Sequence, residues 1–308
     1  MRDPFPIPRW LSNAVQPLTG TLHLNTLHLH IHEVILVYLF YTFINGRLSP
    51  YASSRLLGET YDAWPRRTKL GWNMHVTAFL NSIVLSGAAL YVIFCDLDRA
   101  RETWEDRIWG YTGLGGLVQA VGAGYFVWDV QVCVANFDVL GVVDLLHALV
   151  ACGISVMGYY PFGLYYGMHY ILIELSTPFA NIHWFLNKLG LAGSRVQVIN
   201  GMLLITTFFT CRLVWGSYLT FVFFRDVWTA LHAEQSHQTT YVLDAKVQSL
   251  ALEHRAPWWL AGLFMVTNSV VMGLSTFWFV KMVDTVKRHS SGERQGVKTK
   301  AKAKVKAG

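Results

Sequence analysis

Charge is what this sequence has least of. Only 14% of its 308 residues are Asp, Glu, Lys or Arg, while 53% are hydrophobic and the mean hydropathy is +0.33. With 12 Trp, 14 Tyr and 18 Phe besides, the balance excludes an ordinary soluble domain and points to a membrane protein. Cysteine is also sparse. Cys95, Cys133, Cys152 and Cys211 contain no C-x-x-C pair, so neither a zinc ribbon nor a disulfide framework is expected. There is no Asn-x-Ser/Thr acceptor, and the first residues are broken by Arg2, Asp3, Pro4, Pro6, Pro8 and Arg9, so no cleavable signal peptide is expected. No aromatic platform or folded reader accompanies the basic residues, which argues against nucleic acid as a partner.

What is present is a succession of apolar runs. A Pro-rich arm, 1–26, precedes a first run at about Leu27–Ile44. Further runs follow at Trp72–Phe94, Ile108–Trp128, Val142–Tyr160, a fifth beyond Pro161-Phe162-Gly163, Val198–Phe224 and Pro257–Val280. Each is long enough to cross a bilayer, which predicts an all-α polytopic bundle of about seven transmembrane helices around a polar central cavity. The third run carries Gly113, Gly115, Gly116, Gly122 and Gly124, which would let helices approach closely. The loop Cys95–Arg107 is acidic, and the segment Arg225–Ala256 is polar, with His232, His237 and His254 at no spacing that fixes a site.

Several polar groups fall inside these runs, where ionisable side chains are costly and usually face a bundle interior. Glu174 and Asn181 are seven residues apart on one helix face, with the helix-kinking Pro178 between them. Arg212 sits mid-run and requires a partner, since a central arginine costs at least about 3 kcal/mol on insertion scales. Glu174 is the expected partner and Asp129 the second choice. Asp129 and Asp138 lie in a short acidic connector, and Asp144 and His147, three apart, share a face at the start of the fourth run. His169 could line the chamber. The string His28-x-His30-x-His32, followed by Glu33, invites a metal. On a helix His28 and His32 share a face while His30 points away, so interfacial imidazoles are expected there and no metal site.

Loops 47–71 and 187–197, together with the lysine-rich tail, carry most of the Lys and Arg. The amino end is therefore expected to be luminal and the tail cytosolic. The tail, Lys298-Thr-Lys-Ala-Lys-Ala-Lys-Val-Lys306, would attract anionic lipid headgroups at about 1 kcal/mol per basic residue, or remain a solvated disordered segment.

The run Tyr125-Phe-Val-Trp-Asp129, the Asp144-Leu-Leu-His147 helix start, Glu174-Leu-Ser-Thr-Pro-Phe-Ala-Asn181, Trp184-Phe-Leu186, Asn200-Gly201 and Phe208-Phe-Thr-Cys-Arg212 resemble the TLC domain family. Their order and spacing are closer to the small TLC-domain-containing proteins than to the ceramide synthases, and no homeobox-like insert is visible. The resemblance divides the chain into 1–68 (arm, first helix and basic loop), 69–283 (TLC-like domain) and 284–308 (polybasic tail). It implies a multi-pass protein of the endoplasmic reticulum whose chamber handles long-chain lipid. In the ceramide synthase branch two adjacent histidines transfer an acyl group from acyl-CoA to a sphingoid amine. His147 matches the first, and Ala148 stands at the second.

Two functions follow. One is lipid homeostasis, with an acyl chain or sphingolipid-like molecule accommodated in the chamber and Glu174, Asn181, Arg212, His169 and Asp138 in its polar network. The other is an acyltransferase in which His147 acts as nucleophile or base, Asp144 and Asp129 orient it, and acyl-CoA is the co-substrate, with no bound cofactor. Partner subunits are not encoded in any readable motif.

Overall fold

A computed structural model describes residues 3–96, 103–160, 162–232 and 258–306, with side chains of the last stretch described to 287. Residues 97–102 of the acidic loop, and Pro161, His237 and His254 of the sequence reading, lie outside the described residues. Among the described residues every regular element is helical.

The arm leads into α1 (Arg9–Thr21), and α2 (Leu27–Phe43) continues through a π-helical turn, Ile44–Leu48, into α3 (Ser49–Leu57). After the one-turn α4 (Glu59–Asp62) comes the long α5 (Arg66–Cys95). A short α6 (Trp104–Trp109) precedes the hairpin of α7 (Gly113–Ala135) and α8 (Phe137–Met157). The fifth helical stretch is in pieces: α9 (Leu164–Ile171), a 3-10 segment (Leu172–Ser176) and α10 (Thr177–Lys188). The sixth runs from α11 (Arg195–Thr207) through a π-helical segment (Phe208–Trp215) into α12 (Gly216–His232). The last is α13 (Trp258–Lys306).

Among the described residues six helical stretches are long and apolar enough to cross a membrane: Leu27–Leu57, Arg66–Cys95, Gly113–Ala135, Phe137–Met157, Arg195–His232 and Trp258–Lys287. The broken stretch α9–α10, fifth in the expected series, is the one that is not among them. Its break follows from Pro178, which cannot donate a backbone hydrogen bond. The chain ends one helix in a tight 3-10 turn and places the proline in the first turn of the next, where that donor is not needed.

Between lipid-embedded helices there is little hydrophobic drive, and association depends on close packing and hydrogen bonds. The α2–α7 contact shows how closely these backbones meet. A Cβ at Gly116 would fall 2.1 Å from His30 Nε2, and one at Gly124 would fall 2.7 Å from the Val34 carbonyl oxygen. The glycine stripe of the third run therefore serves the close approach read from the sequence.

The two ends of the bundle differ. At the arm end, Ile108, Trp109, Tyr160, Phe162, Tyr166, Phe223, Val227 and Leu260 form a tightly buried aromatic cluster joining α6, α9, α12 and α13. Thr26 Oγ1 donates to the Tyr159 carbonyl there (2.9 Å), tying α2 to the chain beyond α8. At the opposite end Trp72 packs on Trp184 and Phe185, joining α5 to α10.

Two boundaries depart from expectation. Asp129 lies inside α7 rather than in a connector, because α7 continues to Ala135 and only Asn136 separates it from α8. The tail, expected to be disordered, continues α13 as helix to Lys306, consistent with its alternating Lys and Ala, both strong helix formers.

Candidate functional site

The site assembles where two helical stretches lose regular geometry side by side, the 3-10 segment Leu172–Ser176 packing on the π-helical segment Phe208–Trp215. A π-helical segment widens the spacing of side chains along the helix, and such segments occur often at functional sites. Arg212 projects from it. Its Nε donates to Ser176 Oγ (3.0 Å), and its Nη2 lies 3.2 Å from Thr177 Oγ1 and 3.4 Å from Glu174 Oε1. Thr177 in turn donates to the second Glu174 oxygen (2.5 Å). The guanidinium also stands 5.0 Å from the centroid of the Phe208 ring. The sequence reading named Glu174 as the partner for Arg212, and the two are in contact.

The chain of contacts continues through α10. Asn181 donates to the Thr177 carbonyl (3.0 Å) and accepts from His75 Nδ1 of α5 (2.7 Å), whose ring stacks on Trp184 at 4.1 Å. Three helical stretches thus contribute to one polar path, Arg212–Glu174–Thr177–Asn181–His75. It is not sealed. The Arg212 and Glu174 side chains are 14% and 27% exposed, and Arg212 Nη1 makes no hydrogen bond among the described residues. A charged donor is left pointing at whatever occupies that space.

The remaining expected residues are distributed differently. Asp129 on α7 and Asp144 on α8 stand at similar distances from the Asn136 turn and interact electrostatically. Tyr125, one turn from Asp129, is within electrostatic reach of both Asp129 and Glu174. Asp144 and His147 are exposed on α8 among outward-facing Val143, Leu146 and Val150. The position buried against α7 is Ala148. The expected orientation of His147 by Asp144 or Asp129 is absent, since no hydrogen bond joins them among the described residues. The reason is helical phase: the inward line of α8 runs through residues 141, 145, 148 and 152, which leaves 147 outward and 144 at the exposed edge of that line. Asp138 is corrected too. It is exposed at the start of α8 and pairs with Arg66 (3.5 Å), both largely in the open, so it belongs to no internal network. His169 Nδ1 donates to the Tyr165 carbonyl (2.9 Å), its ring packs on Tyr165, and its own carbonyl accepts from Trp215 Nε1 (3.2 Å).

Of two polar clusters at the arm end, one escaped the sequence reading and the other was noticed there but given the wrong helical phase. Asp226 of α12, 1% exposed, accepts from Arg107 Nε (2.5 Å), from Tyr166 (2.5 Å) and from Arg225 (2.9 and 3.0 Å). Burial alone would lower the Arg107 pKa, but the Asp226 hydrogen bond and charge outweigh it and raise it, so the pair stays ionised. The only sequence signal was the adjacency of Arg225 and Asp226 at the end of an apolar run. The second cluster is His30, Glu33 and Tyr111. His30 is fully buried and His28 nearly so, against the expectation of interfacial imidazoles, because the face of α2 that meets α7 carries residues 30, 33, 34 and 37. All four cysteines are free thiols, as their spacing implied.

Comparison with known proteins adds to this geometry. The model of the TLC domain matches residues 71–284. An uncharacterised TLC domain-containing protein of Schizosaccharomyces pombe is 33% identical over 92% of this chain and 88% of its own. Topoisomerase I damage affected protein 4 of Saccharomyces cerevisiae is 25% identical over 90% and 92%, and human TLC domain-containing protein 4 is 31% identical over 53% and 62%. The matched region contains α7 to α12 and the whole Arg212–His75 path. This multi-pass helical membrane protein belongs to the TLC domain family.

Proposed function

We propose that this protein handles a long-chain lipid within the membrane, holding the lipid's polar end at the Arg212–Glu174 network. The observation that carries the reading is the Arg212 guanidinium, fixed by Ser176, Thr177 and Glu174 yet with Nη1 making no hydrogen bond among the described residues, where two neighbouring helical stretches both depart from α geometry. A cation at such depth is expensive unless partnered. The protein satisfies part of it and leaves donors suited to a headgroup phosphate, hydroxyl or amide carbonyl. The acyl chain would lie along the apolar sides of α5, α7 and α10 in a cavity between them. The same proposal sets it in the endoplasmic reticulum membrane, with the amino arm luminal and the basic tail cytosolic against anionic headgroups, as the distribution of Lys and Arg supports.

The acyltransferase reading draws less support. His147 is exposed and unoriented, and Ala148 replaces the second histidine of the ceramide synthase pair. Acyl-CoA would matter only there, as a co-substrate.

The test is mass spectrometry of lipids that co-purify with the protein from membranes, compared among native protein, Arg212→Gln and His147→Ala. A defined lipid enriched with native protein and His147→Ala, and reduced at least about tenfold with Arg212→Gln, a 1.4 kcal/mol loss, is the expected result. Equal lipid recovery from Arg212→Gln at equal folding would refute the headgroup role. Loss of one lipid product from His147→Ala membranes would replace it with the acyl-transfer reading.

A further inference from the structure

At the arm end of the bundle, away from the Arg212 network, three donor groups from two distant parts of the chain converge. His30 Nδ1 lies 2.6 Å from Glu33 Oε2 and 3.8 Å from Asp3 Oδ2, and one ligand atom from each residue falls within 4.8 Å of the other two. His30 is fully buried, Glu33 is 4% exposed and the Asp3 side chain 16%. The second carboxylate oxygen of Glu33, Oε1, is buried without a hydrogen-bond partner.

The surroundings hold these groups in place. His30 and Glu33 are three residues apart on one face of α2. The His30 ring fills the space left by Gly116, and its Nε2 is 2.5 Å from the Tyr111 hydroxyl. Asp3 is pressed onto α7, since a Cβ at Gly113 would fall 2.4 Å from the Asp3 backbone nitrogen. The neighbouring Phe5 donates its N–H to Asp3 Oδ1 (2.8 Å) and accepts from His32 Nε2 (2.7 Å).

We propose that Asp3, His30 and Glu33 bind a divalent first-row cation, with zinc as the representative ion, and that the ion clasps the amino-terminal arm to α2. Charge balance favours this. Two carboxylates meet the His30 ring in a buried place, where a proton on that ring offsets only one of them, whereas a divalent ion with a neutral ring offsets both; His32 lies within electrostatic reach of Glu33 but bonds the Phe5 carbonyl instead. Distance favours it as well. Ligand bonds of about 2.0–2.2 Å in tetrahedral geometry set neighbouring donors about 3.3 Å apart, and the separations of 2.6 and 3.8 Å lie on either side of that value. An ion at Nδ1 requires the ring proton on Nε2, which then donates to the Tyr111 oxygen, the outer hydrogen bond that metal-bound histidines usually make. A simple His30–Glu33 hydrogen bond accounts for two of the three groups. It leaves Asp3 and Glu33 Oε1 unexplained. Imidazole with carboxylate suits zinc, manganese or ferrous iron better than calcium. Three protein ligands leave one position for water.

The experiment is zinc binding by full-length protein purified in detergent and stripped with a chelator, read by competition with a chromophoric zinc indicator. One zinc per chain is expected. His30→Gln should weaken binding most. Asp3→Asn, on an arm outside the bundle, should weaken it at least about tenfold without loss of fold, and Tyr111→Phe by about 10–100-fold. His232→Gln, an exposed imidazole on α12, should bind as native protein does. Absence of stoichiometric zinc in native protein, or native affinity in Asp3→Asn, would overturn the proposal.

Discussion

At the scale of single residues, the interior charges decide what the bundle can tolerate. Arg212 and Glu174 satisfy each other, so removing one leaves the other partnered only by neutral groups. Arg212→Leu is expected to destabilise the protein by about 1–3 kcal/mol, and adding Glu174→Leu should recover part of that loss. A double-mutant cycle in detergent unfolding measures it; strictly additive losses would show that the two side chains do not act together. Asp226 is the sharper case. It is the shared acceptor of Arg107, Tyr166 and Arg225, and Asp226→Asn removes the charge that balances a partly buried guanidinium. That change should cost about 3–5 kcal/mol. Arg225→Ala, whose side chain is 55% exposed, should stay within about 1 kcal/mol. Thermal unfolding followed by tryptophan fluorescence separates the two, and equal losses would contradict the assignment of Arg107 as the principal partner.

At the scale of elements, much of the bundle was legible because apolar run length is a strong signal, while the breaks were not. Pro178 announced an interruption near Glu174, and the order of polar residues around it identified the family. The π-helical segment at Phe208–Trp215 has no sequence signature, yet it sets the direction of Arg212. Helical phase was the weaker point. The reading of α2 turned His30 away from its neighbours, and the reading of α8 turned His147 inward, because an apolar helix surrounded by lipid carries no amphipathic contrast to say which face packs. Both α2 and α8 are apolar nearly all round. Small residues gave the missing information for α7. Gly116→Ala and Gly124→Ala should each cost about 1–3 kcal/mol through overpacking against His30 and Val34. Gly201→Ala in α11, where nothing lies within 4 Å, should be neutral or stabilising by up to about 1 kcal/mol. Unfolding midpoints of the three variants check this, and similar losses at all three positions would mean the glycines matter only as flexible links.

At the scale of the whole molecule, the open question is parity. An odd number of crossings puts the arm and the tail on opposite faces of the membrane, and an even number puts them on the same face. Six stretches are long enough to span unaided, and the parity turns on whether α9, the 3-10 segment and α10 together make a seventh crossing. The packing argues that they do. Leu164 and Met168, in and beside the first turns of α9, pack with Tyr111 in one buried cluster at the arm end, while Trp184 and Phe185 near the end of α10 pack with Trp72 at the other. The chain lacks Asn-x-Ser/Thr, so an acceptor introduced into it reports without background. Engineered into the arm after a short spacer, it should be glycosylated when the protein is made in endoplasmic reticulum membranes. Placed after the tail, or in the basic segment 47–71, it should remain unmodified. Glycosylation at both the arm and the tail would reduce the crossings to an even number. The Glu174 segment would then be a re-entrant pair of half-helices, and Arg212 would have to be reached from one face of the membrane only.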